Sequence, residues 1–255
     1  MIFFAFIMGL VFGSFANVLI ARMPKNESII RPRSHCPHCG HTIRFWENVP
    51  LLSFVILRGR CSACKKRISY RYPLVELLMG LLFVLPVYRY GWDFYVLLRD
   101  WPLAFLLLTL SFIDLDHRII PDELSLGGAV YGLVSALIFG WDRWISYGVG
   151  AVVGFGVFYF FAWAYHRSTG REGLGGGDIK LMAAVGAFVG WQGVFGVVLI
   201  SSLTGALVGI LQGILVRSKG PMLQHSIPYG PFIAFATWIV HSFGDQPWLQ
   251  SLTLM

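Results

Sequence analysis

The stretch that decides the fold is 1–20, MIFFAFIMGLVFGSFANVLI, which has no charged side chain and is followed closely by Arg22 and Lys25. A helix needs about 20 mostly apolar residues to cross the hydrocarbon core of a bilayer. This stretch is therefore predicted to span a membrane. A cleaved secretory signal has basic residues in front of its apolar segment and a small-residue cleavage site behind it. This stretch has neither, so we expect the helix to be retained.

The composition of the whole chain also indicates a membrane protein. Of the 255 residues, 56% are hydrophobic and only 13% are charged, whereas about 25% of the residues in a soluble domain are charged. The sequence therefore predicts an all-α polytopic membrane protein of about eight transmembrane helices with one large loop. A soluble globule, a disordered chain and a disulfide-stapled secreted domain are excluded. The seven further apolar runs are 74–88, 101–113, 124–140, 144–165, 179–190, 194–216 and 228–240.

The basic residues predict the orientation of these spans. Cytosolic loops are enriched in Lys and Arg, and residues 22–71 hold 11 of the 20 basic residues with only two acids. If this loop is cytosolic and the eight spans alternate, 17 basic residues lie inside, among them Arg217 and Lys219, and both termini are external. The three basic residues outside are Arg89, Arg99 and Arg143. The net charge of +7 then has a membrane explanation, and no nucleic-acid partner is expected.

All four cysteines lie in this loop, as Cys36-Pro-His-Cys39 and Cys61-Ser-Ala-Cys64. We call each of these Cys-x-x-Cys motifs, with the residues that directly follow it, a knuckle. Two knuckles can supply four thiolates to one zinc ion, and a full set of four protein ligands indicates a structural metal. Disulfides are an alternative, but they are rare in a reducing compartment. A thioredoxin-like redox pair would need a βαβ context that is absent here. A further alternative is that one thiolate is replaced by His35, His38 or His41.

Glycines recur at four-residue spacing in several apolar runs. Small residues at this spacing allow two helix backbones to approach closely, so we interpret them as packing positions. They are Gly9/Gly13, Gly150/Gly154, Gly186/Gly190 and Gly205/Gly209/Gly213.

Acidic residues stand at the ends of two apolar runs. Residues 101–113 lead directly into Asp114-Leu-Asp116-His117, and at 1.5 Å per residue this run is only about 20 Å long. We therefore expect the helix to continue and to draw Asp114 into the cytosolic edge of the bilayer. Asp178 follows three glycines and precedes the run that begins at Ile179. Ionisable residues at membrane depth are costly and indicate function.

Two carboxyl groups at one depth can form an acid–base pair, because neighbouring carboxylates do not both ionise readily. In an aspartic protease the ionised Asp takes a proton from water and the protonated one polarises the scissile carbonyl. The glycines before Asp178 leave room for a substrate backbone. The alternatives are structural: Asp178 as a helix N-cap, and Asp114 and Asp116 as a solvated helix end paired with Arg118. The spacing does not choose between Asp114 and Asp116.

Taken in order, these motifs resemble the type IV prepilin peptidases, the Gly-x-Gly-Asp class of intramembrane aspartic proteases. The resemblance covers nearly the whole chain. Besides the two cysteine knuckles it includes Gly13-Ser-Phe-Ala-Asn17-Val, Asn48-Val-Pro-Leu-Leu-Ser53, Arg58-Gly-Arg-Cys61, Tyr72-Pro-Leu-Val-Glu76, Ile113-Asp-Leu-Asp-His117, Gly175-Gly-Gly-Asp178-Ile-Lys180 and Ile227-Pro-Tyr-Gly-Pro231.

The resemblance implies that Asp114 and Asp178 are the catalytic pair and that Asp116 is only a neighbour. It implies removal of a short basic leader from type IV prepilins and pseudopilins, by a cut after Gly at the cytosolic face of the bacterial inner membrane. It further implies methylation of the new N-terminal residue with S-adenosylmethionine as the methyl donor. Three regions follow: 1–21 as the first transmembrane helix, 22–73 as a cytosolic four-cysteine zinc loop linked to methyl transfer, and 74–255 as a membrane peptidase domain of about seven helices.

The methyl-donor site is not assigned, because no Gly-x-Gly-x-x-G signature is present. Glu76, Arg58, Arg60 and Arg71 are candidates for polar contacts, although Arg at a membrane surface commonly meets anionic lipid instead. The oligomeric state is not predicted.

Two other functions fit parts of the sequence. A proton-coupled transporter could use Asp114 and Asp178 as a relay, but transporters place such groups near the midplane, between broken helices. A non-enzymatic scaffold built on the zinc loop would leave both acids unexplained.

Overall fold

The computed structural model describes residues 1–171, 173–216 and 228–244. Over these residues the chain is helical, and its β-pairing is limited to two isolated bridges in the large loop. The eight α-helices within them are α1 Ile2–Arg22, α2 Leu52–Ile56, α3 Arg71–Tyr90, α4 Trp101–His117, α5 Asp122–Ile138, α6 Trp141–Thr169, α7 Gly176–Val216 and α8 Gly230–Phe243.

The all-α membrane class is confirmed, because each predicted apolar run lies mainly on a helix. In the described part of the chain, five helical segments are long and apolar enough to cross a bilayer: Ile2–Lys25, Arg71–Tyr90, Val96–His117, Trp141–Thr169 and Gly176–Ile214. Helices α5 and α8 are shorter, with 17 and 14 residues. Arg217 and Lys219, which we counted on the cytosolic side, lie outside the described residues.

The predicted runs 179–190 and 194–216 lie on the two helical segments of α7, which meet at Gly190 without an intervening loop. The helix is kinked at Gly190, whose φ of 73° and ψ of 173° are not helical. This φ lies in the left-handed region, which glycine tolerates because it has no Cβ. Gly190 therefore marks the kink between the two segments of α7.

Helix α4 extends beyond its apolar run at both ends. It continues to His117, as predicted, and a π-helical turn, Val96–Asp100, precedes it. Arg99 and Asp100 in this turn are buried, whereas we expected Arg99 in an outer loop. The apolar run is short because Arg99 and Asp100 interrupt it, and the helical segment Val96–His117 reaches a spanning length by including them.

The chain forms two compact units, Met1–Thr109 and Leu110–Met255. In the first unit, α1 and α3 pack against each other. A Cβ on Gly9 would lie 2.6 Å from the Cα of Gly80, and one on Gly13 would lie 2.7 Å from the Cα of Glu76. The two backbones are therefore in direct contact, which confirms the packing role predicted for Gly9 and Gly13.

In the second unit, α7 packs against α5, α6 and α8. A Cβ on Gly150 of α6 would lie 2.5 Å from the carbonyl oxygen of Gly186, and one on Gly154 would meet the carbonyl oxygen of Met182. The packing role is confirmed at these positions. For Gly209 and Gly213 it stays a prediction.

Candidate active site and metal centre

Asp114 and Asp116 lie near the C-terminal end of α4 in different environments. Asp114 is only 6% exposed, whereas Asp116 is exposed. Two positions that are two residues apart on an α-helix are rotated by about 200° about its axis. One side chain can therefore face the interior of the second unit while the other faces outward.

The buried carboxylate of Asp114 is held by the first residue of α8. The backbone N–H of Gly230 donates to Asp114 Oδ2 over 2.8 Å. A Cβ on Gly230 would lie 2.8 Å from this oxygen and 3.3 Å from Asp114 Cβ and Cγ. The close approach therefore requires glycine. The N-terminus of a helix carries a partial positive charge and unpaired N–H groups, which suit a carboxylate.

Asp178 is the third residue of α7 and is half-buried. The alternative of an N-cap is not supported, because the helix begins two residues earlier, at Gly176. A Cβ on Gly175 would lie 3.1 Å from Asp178 Oδ2, and one on Gly177 would lie 2.8 Å from the Cβ of Ile120. The glycines thus allow the carboxyl group and the turn between α4 and α5 to approach the start of α7.

The structure brings Asp114 and Asp178 together within the second unit. Their carboxyl groups are close enough to interact electrostatically. Arg118, in the turn that follows α4, also interacts electrostatically with Asp114. This is the contact that the structural alternative, a helix end paired with Arg118, requires. Two carboxyl groups and one nearby cation can hold an ionised and a protonated Asp side by side.

An ion pair beside this site was not predicted. Lys180 Nζ lies 2.7 Å from both carboxylate oxygens of Asp122, and it joins the fifth residue of α7 to the first residue of α5. The partners are 58 residues apart in sequence. No local pattern signals such a pairing.

Tyr229 ties the start of α8 to the second half of α7. Its hydroxyl donates to Ser201 Oγ over 3.0 Å and lies 3.4 Å from Ser202 Oγ. This contact holds the turn before Gly230 and was also missed by sequence reasoning, which gave these serines no role. Ile227, the first residue of the Ile-Pro-Tyr-Gly-Pro motif, lies outside the described residues.

The four cysteines of the first unit form one cluster, as predicted. Their sulfur atoms all lie within 4.8 Å of one another, with 3.9 Å between Cys36 and Cys64 and 4.0 Å between Cys39 and Cys61. A tetrahedron with zinc–sulfur bonds of about 2.3 Å has edges of about 3.8 Å. The cluster could therefore bind zinc with little adjustment, and the thiols are free rather than disulfide-bonded.

Thiolate is the form that binds a metal, and the backbone of the second knuckle favours it. The N–H groups of Cys64 and Ala63 donate to the Cys61 sulfur and lower the pKa of Cys61 to about 6. The fold of the loop thus stabilises the thiolate form of Cys61.

Histidine does not enter this cluster in the described part of the chain. His41 instead pairs with Glu47, with 3.2 Å between Nε2 and Oε2. The pKa of Glu47 is lowered to about 2, first by the backbone N–H of Arg44, then by the hydroxyl of Ser62 and by His41. The His41–Glu47 pair links the first knuckle to the short 3₁₀ turn Phe45–Asn48.

The two knuckles are structural copies of each other, which the sequence spacing alone did not reveal. Antiparallel bridges join His35 to Thr42 and Arg60 to Arg67, each from one residue before the first cysteine to six residues after it. The fifth residue of each knuckle, Gly40 or Lys65, donates its N–H to the carbonyl of the first cysteine. Both fifth residues have positive φ, 70° and 61°.

A buried polar cluster lies between α1 and α3. Glu76 accepts the backbone N–H of Leu51 over 2.9 Å and the hydroxyl of Ser14. Asn17 donates to the carbonyl of Tyr72 over 3.0 Å, but its buried Oδ1 has no partner among the described residues. Of the four candidates for polar ligand contacts, Glu76 lies in this cluster, Arg71 stacks on the ring of Tyr72, and Arg58 and Arg60 are exposed.

Comparison with protein-family models finds two matches. The bacterial peptidase A24 N-terminal domain matches residues 7–90, which include both cysteine knuckles, and the type IV leader peptidase family matches residues 101–210, which include Asp114 and Asp178. No solved structure matches the chain significantly.

Curated relatives match along most of the chain. A protein of Pseudomonas putida is 38% identical over 98% of this chain and 93% of its own length, and one of Neisseria gonorrhoeae is 34% identical over 96% and 91%. A protein of Myxococcus xanthus is 45% identical over 88% of this chain, and the match covers 66% of that protein. All three are named prepilin leader peptidase/N-methyltransferase.

Proposed function

This chain belongs to the type IV leader peptidase family, and from that membership we propose that it is an intramembrane aspartic endopeptidase. Its substrates are type IV prepilins and pseudopilins, from which it removes a short basic leader by a cut after Gly. The observation that carries the proposal is the pairing of Asp114, buried near the end of α4, with Asp178 at the start of α7. Two interacting carboxyl groups suffice for acid–base hydrolysis of a peptide bond.

In the proposed reaction Asp114 is the ionised partner and Asp178 is the protonated one. Asp114 takes a proton from water as the water oxygen attacks the scissile carbonyl carbon, while Asp178 gives its proton to the carbonyl oxygen. Asp114 then passes its proton to the amide nitrogen, the C–N bond breaks, and one proton of the diol intermediate returns to Asp178. Both carboxyl groups end in the protonation states in which they began.

The roles are assigned from the surroundings of the two groups. Asp114 accepts the Gly230 N–H at a helix N-terminus, and a donor of this kind stabilises the ionised form. The carboxyl group of Asp178 accepts the backbone N–H of Gly175 within its own segment, and the negative charge of the neighbouring Asp114 favours the protonated form of Asp178. Gly175 and Gly176 are exposed beside it, which leaves space for an extended substrate backbone.

The second proposed activity is methylation of the new N-terminal residue, as the names of the relatives indicate. The donor, S-adenosylmethionine, would supply a methyl group on a sulfonium cation. The polar cluster between α1 and α3 fits such a ligand, because Glu76 offers a negative charge and Asn17 Oδ1 is a buried acceptor without a partner among the described residues. These two side chains would hold the donor.

The third element of the proposal is a structural zinc ion on Cys36, Cys39, Cys61 and Cys64. Four protein ligands leave no position for water, so the ion would stabilise the loop instead of taking part in catalysis. We assign residues 22–73 to this zinc loop, linked to methyl transfer, and 74–255 to the peptidase region. The distribution of basic residues supports a cytosolic loop in the bacterial inner membrane, with external termini.

A proton relay is the less favoured function. Asp114 is the fourth residue from the end of α4 and Asp178 is the third residue of α7. Both are helix-end positions, whereas transporters place such groups at the midplane.

Cleavage of a prepilin by the purified full-length protein tests the peptidase. We expect Asp114→Asn and Asp178→Asn each to lower the rate by at least about 10³-fold, since each removes one partner of the acid–base pair. Asp116→Asn is the matched control and should cleave within about twofold of the wild-type rate, because surface changes away from a site have small effects. Full cleavage by either of the first two variants would rule out this pair.

A further inference from the structure

An exposed apolar surface stands out in the otherwise basic loop of the first unit. We call it the apolar stripe, and its side chains are between 55% (Leu52) and 81% (Phe45) exposed. Three of them follow the i, i+3, i+4 spacing of one face of α2, and two come from the 3₁₀ turn that packs against α2. The stripe consists of Phe45, Trp46, Leu52, Val55 and Ile56.

The side of α2 opposite the stripe is fixed to the rest of the first unit. The ring of Phe54 packs on Tyr70, with 5.7 Å between centroids, and a Cβ on Gly59 would lie 3.0 Å from the Phe54 ring. The stripe therefore does not turn inward to complete the fold of the loop. Its outward face is left for a partner.

A hydrogen bond sets the depth of the stripe relative to a membrane-spanning helix. Leu51, directly before α2, donates its N–H to Glu76 Oε2 over 2.9 Å. Glu76 is five residues past the start of α3, which corresponds to about 7.5 Å along the helix axis. Because α3 is a candidate membrane span, the segment before α2 lies beside the entry of that helix into the bilayer.

Positive charges flank the stripe at both ends. Arg44 precedes it and stacks over the ring of Trp46 at 5.5 Å, and Arg58 and Arg60 follow α2. All three are exposed, and none has an ion pair in the described part of the chain. Residues 22–71 carry 11 basic residues and two acids, so acids of the same loop do not neutralise these charges.

We propose that the apolar stripe inserts into the interface of the bilayer that holds α1 and α3, and that Arg44, Arg58 and Arg60 bind anionic phospholipid headgroups there. Exposed Trp and Phe beside Arg are typical of surfaces that lie in the headgroup region. Uncompensated arginines are attracted to anionic lipids. The stripe is also tied to α3, a candidate membrane span, through the hydrogen bond from Leu51 to Glu76. This docking would hold the cysteine cluster close to the bilayer, and it does not depend on the peptidase activity.

Spin labelling of the full-length protein in nanodiscs tests the insertion. A nitroxide is attached through p-acetylphenylalanine at position 55, which leaves the four cysteines untouched, in discs of phosphatidylcholine and phosphatidylglycerol. Power saturation with oxygen and with a water-soluble nickel chelate then reports depth. We expect oxygen to relax this label several-fold more than nickel does. The matched control is position 66, where Lys66 is exposed on the second knuckle and the label should meet nickel.

Two results would overturn the proposal. Equal nickel access at positions 55 and 66 would mean that the stripe faces water. Protection of position 55 from both reagents would mean that protein, such as a second copy of the chain, covers it. For the charges, the readout is the ratio of phosphatidylglycerol to phosphatidylcholine retained by the purified protein. We expect R44Q/R58Q/R60Q to lower this ratio at least threefold, and an unchanged ratio would contradict the headgroup contact.

Discussion

The backbone N–H of Gly230 donates to Oδ2 of Asp114 over 2.8 Å, across 116 positions of sequence. Helix α8 begins at Gly230, so its positive end is directed at the carboxylate that we propose as the base. The contact exists only because residue 230 has no side chain. This gives a glycine outside the Gly-Gly-Gly-Asp motif a positioning role for the proposed reaction.

Replacement of this glycine is expected to impair cleavage. In Gly230→Ala the added Cβ would lie 2.8 Å from Asp114 Oδ2, so the carboxylate or α8 must move. A displacement of about 1 Å in an active site can cost 10²-fold in rate, and we expect kcat to fall by about 10- to 100-fold with little change in KM. The control is Gly127→Ala on α5, where nothing lies within 4 Å of the new Cβ. Wild-type kcat in Gly230→Ala would contradict the positioning role.

Loss of the charge on Glu76 is expected to weaken binding of the methyl donor. Glu76→Gln keeps an oxygen that can accept the Leu51 N–H, so the loop contact is preserved while the negative charge is removed. We expect equilibrium binding of S-adenosylmethionine, measured by calorimetry, to weaken at least about tenfold, as for the loss of one charge-assisted contact. Prepilin cleavage should persist. Glu27→Gln removes a charge from an exposed loop residue and should leave donor binding unchanged, and equal affinity in both variants would exclude Glu76 from the site.

Metal content should depend on the cysteines and not on the histidine between them. We expect about one zinc per wild-type chain and none after Cys36→Ser or Cys39→Ser, because three thiolates hold zinc far more weakly. His38→Ala should retain the metal, since His38 does not belong to the cluster. Elemental analysis of protein purified under reducing conditions measures both. Methyl transfer should fall in the cysteine variants more than prepilin cleavage, and a metal-free wild type would refute the site.

Substitutions at the fifth residues of the two knuckles, Gly40→Ala and Lys65→Gly, are predicted to change zinc affinity in opposite directions. Gly40 and Lys65 both have positive φ, a conformation that costs a non-glycine residue about 1 kcal/mol or more. Gly40→Ala should therefore weaken zinc binding about fivefold, and Lys65→Gly should strengthen it by a similar factor. Competition with a chelator measures both affinities, and Lys66→Gly is the control for loss of the lysine charge. Identical affinities for Gly40→Ala and the wild type would argue against the duplicated geometry.

The ion pair between Lys180 and Asp122 is expected to affect rate more than stability. Both partners are at least 36% exposed, so the pair should contribute no more than about 1 kcal/mol to the free energy of unfolding. It joins the starts of α5 and α7 two residues from Asp178, and we expect Lys180→Met to slow cleavage several-fold. The exchanged pair, Lys180→Asp with Asp122→Lys, should recover part of the rate. No recovery would indicate that Lys180 acts other than through Asp122.

Features that depend on local composition were predictable. The apolar runs predicted the helices, because a span of about 20 residues is a property of the segment alone. The Cys-x-x-Cys spacing predicted the ligand set for the same reason, since each knuckle is local. Asp114 was expected to be drawn inward because its apolar run is short, and the extension of α4 to His117 agrees.

Features that depend on backbone geometry were missed. The runs 179–190 and 194–216 correctly predicted two helical segments, but not that a single non-helical residue, Gly190, joins them in place of a loop. Arg99 was expected in an outer loop because it falls between the runs 74–88 and 101–113, but a π-helical turn includes it in the helical segment and buries it. In both cases hydropathy shows which residues are polar or apolar, but it does not show the φ and ψ angles that the backbone adopts at those residues.

The sequence by itself determined the membrane class, the four thiol ligands and two acids at the ends of apolar runs. It left Asp114 and Asp116 equivalent, because both occupy the same helix end. Only the tertiary structure decided that Asp114 is the buried one and that Gly230 is its donor. The rotation of α4 about its axis depends on packing against distant segments, and no local pattern contains that information.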